Sequence, residues 1–178
     1  DQLKDRYRVM AVNLRGSGKT TPWPVGEIQP LEAQTVLIEA LVDLVGEPVA
    51  LVGHSWGATI AMKAALTMGD RLRQMVLVEP NPFFLLKRPG YEDGRADIDL
   101  MAKPAQVLAE DGQYSKMGKL FIDYWFGAGS WQAMDEKRRT GITAMMPTIR
   151  DSWDGCMEGP ETIEAWTDHA ARTLLITS

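Results

Sequence analysis

Short apolar runs and stretches with helical spacing alternate along the first 80 residues of the chain. The runs at 7–13, 48–53 and 74–79 are predominantly apolar and end near glycine or proline, a pattern typical of buried strands. The run at 48–53 is continuously apolar rather than alternating. We therefore predict that both of its faces are covered, as in a parallel sheet with helices on each side.

Two helices are predicted between these strands. Residues 31–45 carry apolar side chains at helical spacing and stop before Gly46, a residue type that commonly ends helices. The members of this apolar stripe are Leu37, Ile38, Leu41, Val42, Leu44 and Val45. A second helix is expected at 58–68, ending at Gly69. The order strand, helix, strand, helix, strand predicts an α/β fold with a mostly parallel sheet flanked by helices.

The pattern changes beyond residue 80. Methionine and tryptophan become frequent, strand signals disappear, and helical spacing dominates 105–125 and 131–146, before 173–177 return to a strand pattern. We therefore predict a core of strands and helices at 1–80, a helical cap inserted at 81–172, and a return to the core at 173–178. Because the chain starts at Asp1 rather than at methionine and stops just after a strand, we expect a truncated fold.

Composition and charge narrow the classes of partner. The chain has 178 residues, a formal net charge of -5 and 19 scattered Lys and Arg residues, so it lacks the basic footprint of a nucleic-acid-binding protein. No apolar run approaches the roughly 18 residues that cross a bilayer. We expect a soluble protein with a small-molecule substrate. The single Cys156 cannot form an internal disulfide, which favours the cytoplasm.

One motif in the chain indicates a catalytic residue. Gly53-His54-Ser55-Trp56-Gly57 has the pattern Gly-x-Ser-x-Gly and lies where a predicted strand meets a predicted helix. A serine on such a sharp turn has its hydroxyl above the sheet, and side chains at the two flanking glycine positions would collide with neighbouring elements. The sequence therefore predicts Ser55 as a nucleophile, with the backbone N–H of Trp56 as an oxyanion donor. A chance match of the three fixed positions is the alternative, at roughly one chain in twenty.

Three segments in the first half of the chain carry a resemblance. NLRGSGKT, LVGHSWGATIAMKAAL and MVLVEPNPF resemble successive signatures of the α/β-hydrolase family, in the family's usual order. FIDYWFGAGSWQAM is similar to the cap segment of a bacterial subgroup of these hydrolases. The resemblance implies the α/β-hydrolase fold and a catalytic triad of Ser, acid and His in that chain order.

The resemblance also implies that parts of the site lie outside this chain. The acid usually follows the strand at 173–177 and the histidine comes later still, so both are expected beyond Ser178, and the loop with the second oxyanion donor is expected upstream. His54 is next to the nucleophile and His169 precedes the last strand, so neither suits the role of base. Glu79 occupies an alternative acid position that some relatives use. A loop carboxylate without a catalytic role is the other interpretation of Glu79.

The substrate pocket is assigned to His54, Tyr124 and Trp125, beneath the predicted cap. Neighbouring aromatic and methionine residues fit either a pocket lining or an ordinary helical core, and the core is the more frequent case. These residues are Trp131, Met134, Met145 and Met146, and the carboxylate Asp123 lies beside them in the chain.

No cofactor or metal is predicted. Asp168, His169 and Cys156 lack the spacing of metal ligands. Gly18-Lys19-Thr20 resembles the end of a phosphate-binding loop, but Asn13 stands where that motif needs its first glycine, and Pro22 and Pro24 oppose the helix that should follow.

Two interpretations of function follow. The first is a serine hydrolase that forms an acyl-enzyme on Ser55 and cleaves an ester, lactone, amide or carbon–carbon bond. The alternative is a small-ligand-binding homologue with little or no catalysis, or an inactive fragment. We expect residues 1–178 alone to be inactive, since an unactivated serine is a weak nucleophile. We also expect them to aggregate or to be molten unless the absent parts are supplied, because open sheet edges and faces expose apolar and unpaired backbone groups.

Overall fold

The computed structural model describes residues 3–24, 27, 29–159, 162–167 and 171–178. Its helices and strands follow the order helix, strand, helix, strand, four helices, strand. They are α1 (Leu31–Val45), β1 (Val49–His54), α2 (Trp56–Met68), β2 (Leu72–Val78), α3 (Glu92–Glu110), α4 (Tyr114–Phe126), α5 (Ser130–Ala133), α6 (Glu136–Met157) and β3 (Arg172–Ile176). Short 3-10 turns occupy Gly69–Arg71, Phe83–Lys87 and Ile163–Trp166.

The three strands form one parallel sheet in the order β1-β2-β3. His54 is paired with Val78, and Val78 with Ile176, so the three strands end at the same edge. This arrangement confirms the predicted α/β class with a parallel sheet, as well as the strands predicted at 48–53, 74–79 and 173–177. The helix predicted at 58–68 is also confirmed and begins two residues earlier, at Trp56.

Two expectations for the strands are wrong. Residues 8–14 form no strand, and the side chains of Tyr7 and Val9 are 56% and 62% exposed. A parallel strand needs a neighbouring backbone to bond with, and no described strand flanks this segment. The expectation that β1 is covered on both faces also fails, because Val52 is 72% exposed. In the described part of the chain, only the opposite face of the sheet packs against helices.

The core beneath the sheet combines α1, α2 and the strands. A row of alanines on α2, including Ala58, Ala61 and Ala65, packs with Met75 and Leu77 of β2. Small side chains let this helix lie close to the sheet. From α1, Val42 enters the core, whereas Leu44 of the predicted stripe is 82% exposed.

A second core joins α3, α4 and α6 around buried methionines, among them Met101, Met117 and Met146. The helix predicted at 105–125 is two helices, separated where Gly112 takes a φ of 68°. The helix predicted at 131–146 is also two helices, α5 and α6, because the chain is extended at Met134 and Asp135, and α6 continues through Pro147 to Met157. The helices thus occur where a cap was expected, while the division into core and cap stays a prediction. Within the described residues, no helix is both long and apolar enough to cross a bilayer.

Candidate active site

Ser55 occupies a sharp turn between β1 and α2. Its backbone has φ 52° and ψ -124°, a left-handed conformation that costs a residue with a side chain about 1–3 kcal/mol. The turn is held by main-chain hydrogen bonds. The Ser55 N–H donates to the carbonyl of Val78 (2.9 Å), and the Ser55 carbonyl accepts from the N–H groups of Ala58 (2.9 Å) and Thr59 (3.1 Å). The strand-to-helix turn predicted around Ser55 is therefore present.

The two glycines of the motif differ in their surroundings. A Cβ at Gly53 would lie 2.5 Å from the carbonyl oxygen of Gly57 and 2.6 Å from the Cα of Ala58. These atoms belong to the backbone of α2, so they cannot move aside cheaply. A Cβ at Gly57 would meet no described atom within 4 Å. The predicted collision is thus confirmed at Gly53 and wrong at Gly57, because position 57 faces open space.

The first turn of α2 presents donors beside the serine. Among the described residues, the backbone N–H of Trp56 has no acceptor, and the Ser55 hydroxyl makes no capping bond. Unpaired N–H groups at a helix N-terminus carry partial positive charge and favour an adjacent anion. A negatively charged oxygen next to Ser55 would find such a donor at Trp56.

Glu79 leaves β2 at the same edge of the sheet where Ser55 leaves β1. It also has a positive φ, 45°, and its N–H donates to the carbonyl of Ile176 (2.9 Å). Its carboxylate accepts a hydrogen bond from the N–H of Ser178 (2.5 Å). The side chain is exposed, and no described hydrogen bond joins it to a histidine. His54 is exposed as well, and no described hydrogen bond joins it to Ser55. His169 and Asp168 lie outside the described residues.

A buried pair ties the helix that follows Ser55 to the segment that follows Glu79. The Thr59 hydroxyl donates to Oδ1 of Asn81 (2.8 Å) and accepts from the Asn81 N–H (3.0 Å), and the Thr59 side chain is buried. Sequence reasoning missed this pair. The available signal was an asparagine between Pro80 and Pro82, where a side-chain amide replaces main-chain hydrogen bonding.

The aromatic residues predicted for the pocket make contacts of their own. Trp125 is 44% exposed and stacks on Phe83, with ring centroids 6.3 Å apart and planes 12° apart. Phe83 follows Glu79 closely in the chain, so Trp125 contacts the segment that leaves the sheet. The described hydrogen bonds and ring contacts of Tyr124 and Trp125 do not involve Ser55 or His54. Trp131 and Met146 are buried core residues, which confirms the helical-core interpretation for them.

Tyr124 donates a hydrogen bond to Asp97 (2.6 Å), and partial burial together with this carboxylate raises the pKa of Tyr124 to about 12. A raised pKa means that the folded state favours the neutral phenol. The contribution of the neutral Tyr124 phenol to the free energy of unfolding is therefore complete below pH 10.0, the ordinary pKa of tyrosine, and is lost as the pH rises from there towards 12.

We expect Asp97→Asn to lower the pKa of Tyr124, measured by ultraviolet absorbance of the phenolate with Tyr124→Phe as the reference. An unchanged pKa would assign the shift to burial alone.

Two clefts of about 220 and 360 Å³ lie elsewhere on the surface. Trp23, Tyr114 and Arg150 are among the residues that line the smaller one. Ser55 lines neither.

In the segments that the structure describes, no group of three or more His, Cys, Asp or Glu residues is arranged to hold a metal ion. Cys156 is buried, and this burial raises the pKa of its thiol.

The loop at 14–20 has a structural role in the fold. Gln34 of α1 accepts a hydrogen bond from the Arg15 N–H (2.9 Å), and Thr148 of α6 donates to the Gly16 carbonyl (3.1 Å). No helix follows Thr20 at residues 21–24, so the arrangement needed for a phosphate-binding loop is absent from this described segment.

Comparison with known proteins gives consistent matches. A profile described as the alpha/beta hydrolase family matches residues 1–178. Epoxide hydrolase 4 of Homo sapiens is 29% identical over 93% of the chain and 41% of its own length. A pimeloyl-(acyl-carrier protein) methyl ester esterase of Aliivibrio salmonicida is 34% identical over 49% of the chain and 31% of its own length. A hydrolase structure from Oleispira antarctica superposes with a TM-score of 0.65 at 17% identity, over 98% of the chain and 64% of that structure. The chain thus spans less than two thirds of each of these relatives.

Proposed function

Because the chain belongs to the alpha/beta hydrolase family, we propose that the full-length protein is a serine hydrolase that forms an acyl-enzyme on Ser55. The observation that carries the proposal is the turn at Ser55. A residue with a side chain is held at φ 52° between a strand and a helix, although glycine would avoid the strain. Strain of this kind persists where a side chain is needed in a particular place.

The proposed reaction has two halves. The Ser55 oxygen attacks an acyl carbon, and its proton passes to a histidine that the described residues do not supply. The resulting oxyanion accepts a hydrogen bond from the Trp56 N–H. Collapse of this intermediate expels the leaving group, which takes the proton back from the histidine. Water then attacks the acyl-enzyme, and Ser55 is released together with the acid.

Glu79 is the proposed acid that orients the histidine. It leaves the strand next to that of Ser55, at the same sheet edge, and its carboxylate is exposed enough to receive an incoming imidazole. The Ser178 N–H that donates to this carboxylate would share it with the histidine or release it. The alternative acid, after the last strand, would leave Glu79 as a loop carboxylate.

The proposed substrate is a small molecule with an ester, lactone, amide or carbon–carbon bond to cleave, and no cofactor is needed. We propose that the substrate pocket is lined by His54, Tyr124 and Trp125. The stacked rings of Phe83 and Trp125, with Trp153 beside Phe83, favour a substrate with an apolar group.

A second candidate is a binding protein that uses the same pocket without turnover. A fold does not by itself fix function, and the same scaffold can serve ligand binding alone. Specific small-ligand binding without covalent reaction at Ser55 would support this candidate.

A fluorophosphonate probe tests the proposal directly, because it reacts only with an activated serine. We expect the full-length polypeptide to gain one probe adduct, located on the peptide that contains Ser55 by mass spectrometry. Heat-denatured protein is the control and should stay unlabelled. Labelling at another serine, or no adduct at all in folded protein, would contradict the proposal.

A further inference from the structure

The side chain that follows the proposed nucleophile packs into α6. A Cβ at Gly155 would lie 2.6 Å from Cη2 of the Trp56 indole and 3.4 Å from Cζ2. It would also lie 3.0 Å from the Gln29 carbonyl oxygen. Gly155 is buried. The far edge of the indole therefore occupies the space that any other residue at position 155 would fill with its side chain.

A second glycine in α6 shows that this contact is specific to one position. A Cβ at Gly141 would meet no described atom within 4 Å. Glycine inside a helix costs about 1 kcal/mol relative to alanine, and at Gly155 the close approach of the indole explains that cost. Trp56 is also packed against two buried apolar clusters, one of which includes Met157 and the other Ile60. The indole is thus held from several directions.

We propose that Gly155 is a positioning residue for the oxyanion donor. The inference rests on the proposed function, in which the Trp56 N–H binds the oxyanion. The indole and this N–H belong to the same residue, so a shift of the ring against α6 is transmitted through Cα to the amide. An oxyanion donor works within about 2.7–3.1 Å of the oxygen, so a displacement of a few tenths of an ångström weakens it.

The position of α6 is thereby coupled to the chemistry at the sheet edge. Because the oxyanion exists only in the transition state and the intermediate, a displaced donor lowers kcat and leaves KM nearly unchanged. A merely structural role of Gly155 would change the amount of folded protein, and so the thermal midpoint, without a selective loss of kcat per folded molecule.

The test compares three single variants of the full-length polypeptide and the double variant Gly155→Ala/Trp56→Phe. We expect Gly155→Ala to lower kcat about tenfold or more with KM within about threefold. Gly141→Ala, the matched control in the same helix, should keep the kcat of the unmodified protein. Trp56→Phe retains the backbone N–H but withdraws the ring from α6, and we expect a loss of several-fold in kcat. In the double variant, the new methyl group and the shorter ring fit together, so its kcat should exceed that of both single variants.

An independent readout separates this inference from the proposed function. In amide nuclear magnetic resonance spectra, the signal of Trp56 should shift in Gly155→Ala and stay unchanged in Gly141→Ala, and the signal of residue 56 in the double variant should lie close to that in Trp56→Phe. If the unmodified protein shows no turnover, the proposed function fails and this spectrum alone decides the positioning role. An unmoved amide in Gly155→Ala, or a loss of kcat that the double variant fails to recover, would overturn the inference. If Gly155→Ala does not fold, an unchanged kcat in Trp56→Phe, or unchanged amide signals of Ser55 and Gly57 in that variant, would overturn it.

Discussion

Gly53→Ala should destabilise the protein by about 3 kcal/mol or more, because the added methyl group would collide with backbone rather than with side chains. The Cβ would stand 2.5 Å from the Gly57 carbonyl oxygen and 2.6 Å from the Ala58 Cα. Overpacking usually costs about 1–3 kcal/mol when neighbouring side chains can adjust. Here the start of α2 would have to move away from β1, so the loss of stability lies at or above the upper end of that range.

Gly57→Ala is the matched control, four residues along the same turn. Position 57 has no described atom within 4 Å of a Cβ, so the free energy of unfolding should change by about 1 kcal/mol at most. Urea unfolding of the full-length variants, followed by circular dichroism, measures both changes. Equal midpoints for the two variants would show that the close approach at Gly53 does not limit this turn.

Ser55→Ala should reduce the hydrolytic kcat by about 10,000-fold or more, as expected when a triad nucleophile is removed. Alanine disfavours the backbone conformation at φ 52° as serine does, so the thermal midpoint should stay close to that of the unmodified protein. The loss therefore reports chemistry rather than unfolding.

The matched control for this substitution is Ser115→Ala, at an exposed position on α4. It should keep full activity. The measurement is hydrolysis of an activated ester by the purified full-length variants. Residual activity of Ser55→Ala within tenfold of the unmodified protein would refute Ser55 as the nucleophile.

Local features of the fold could be predicted from the sequence. The bounds of α1, the strands at 48–53 and 74–79 and the turn at Ser55 depend on residues close together in the chain, so periodicity and the Gly-x-Ser-x-Gly pattern predicted them. The segment 7–13 failed because its apolar pattern describes a strand only where a neighbouring backbone pairs with it. The same limit explains the exposed face at Val52, since the pattern cannot say which helices are present to cover it.

Only part of the site could be predicted from the sequence, because the rest depends on contacts between distant elements. The sequence predicted a sharp turn at Ser55 and a donor at Trp56, both within one motif. The Thr59–Asn81 pair joins residues 22 positions apart, and the contact between Trp56 and Gly155 joins α2 to the end of α6. Neither has a signature in the chain, because each depends on how distant elements approach one another. The two glycines of the motif likewise look alike in the sequence and differ only in what surrounds them.

The register of β2 with β3 has a kinetic consequence. Val78 is paired with Ile176, and all of α3, α4, α5 and α6 lies between these two strands in the chain. Closing so long a loop costs chain entropy before the first hydrogen bond of the ladder forms, and non-local pairing of this kind slows folding. Helices that fold early shorten the effective distance between the two strands. The rate at which the third strand joins the sheet is therefore governed by helices that do not belong to the sheet.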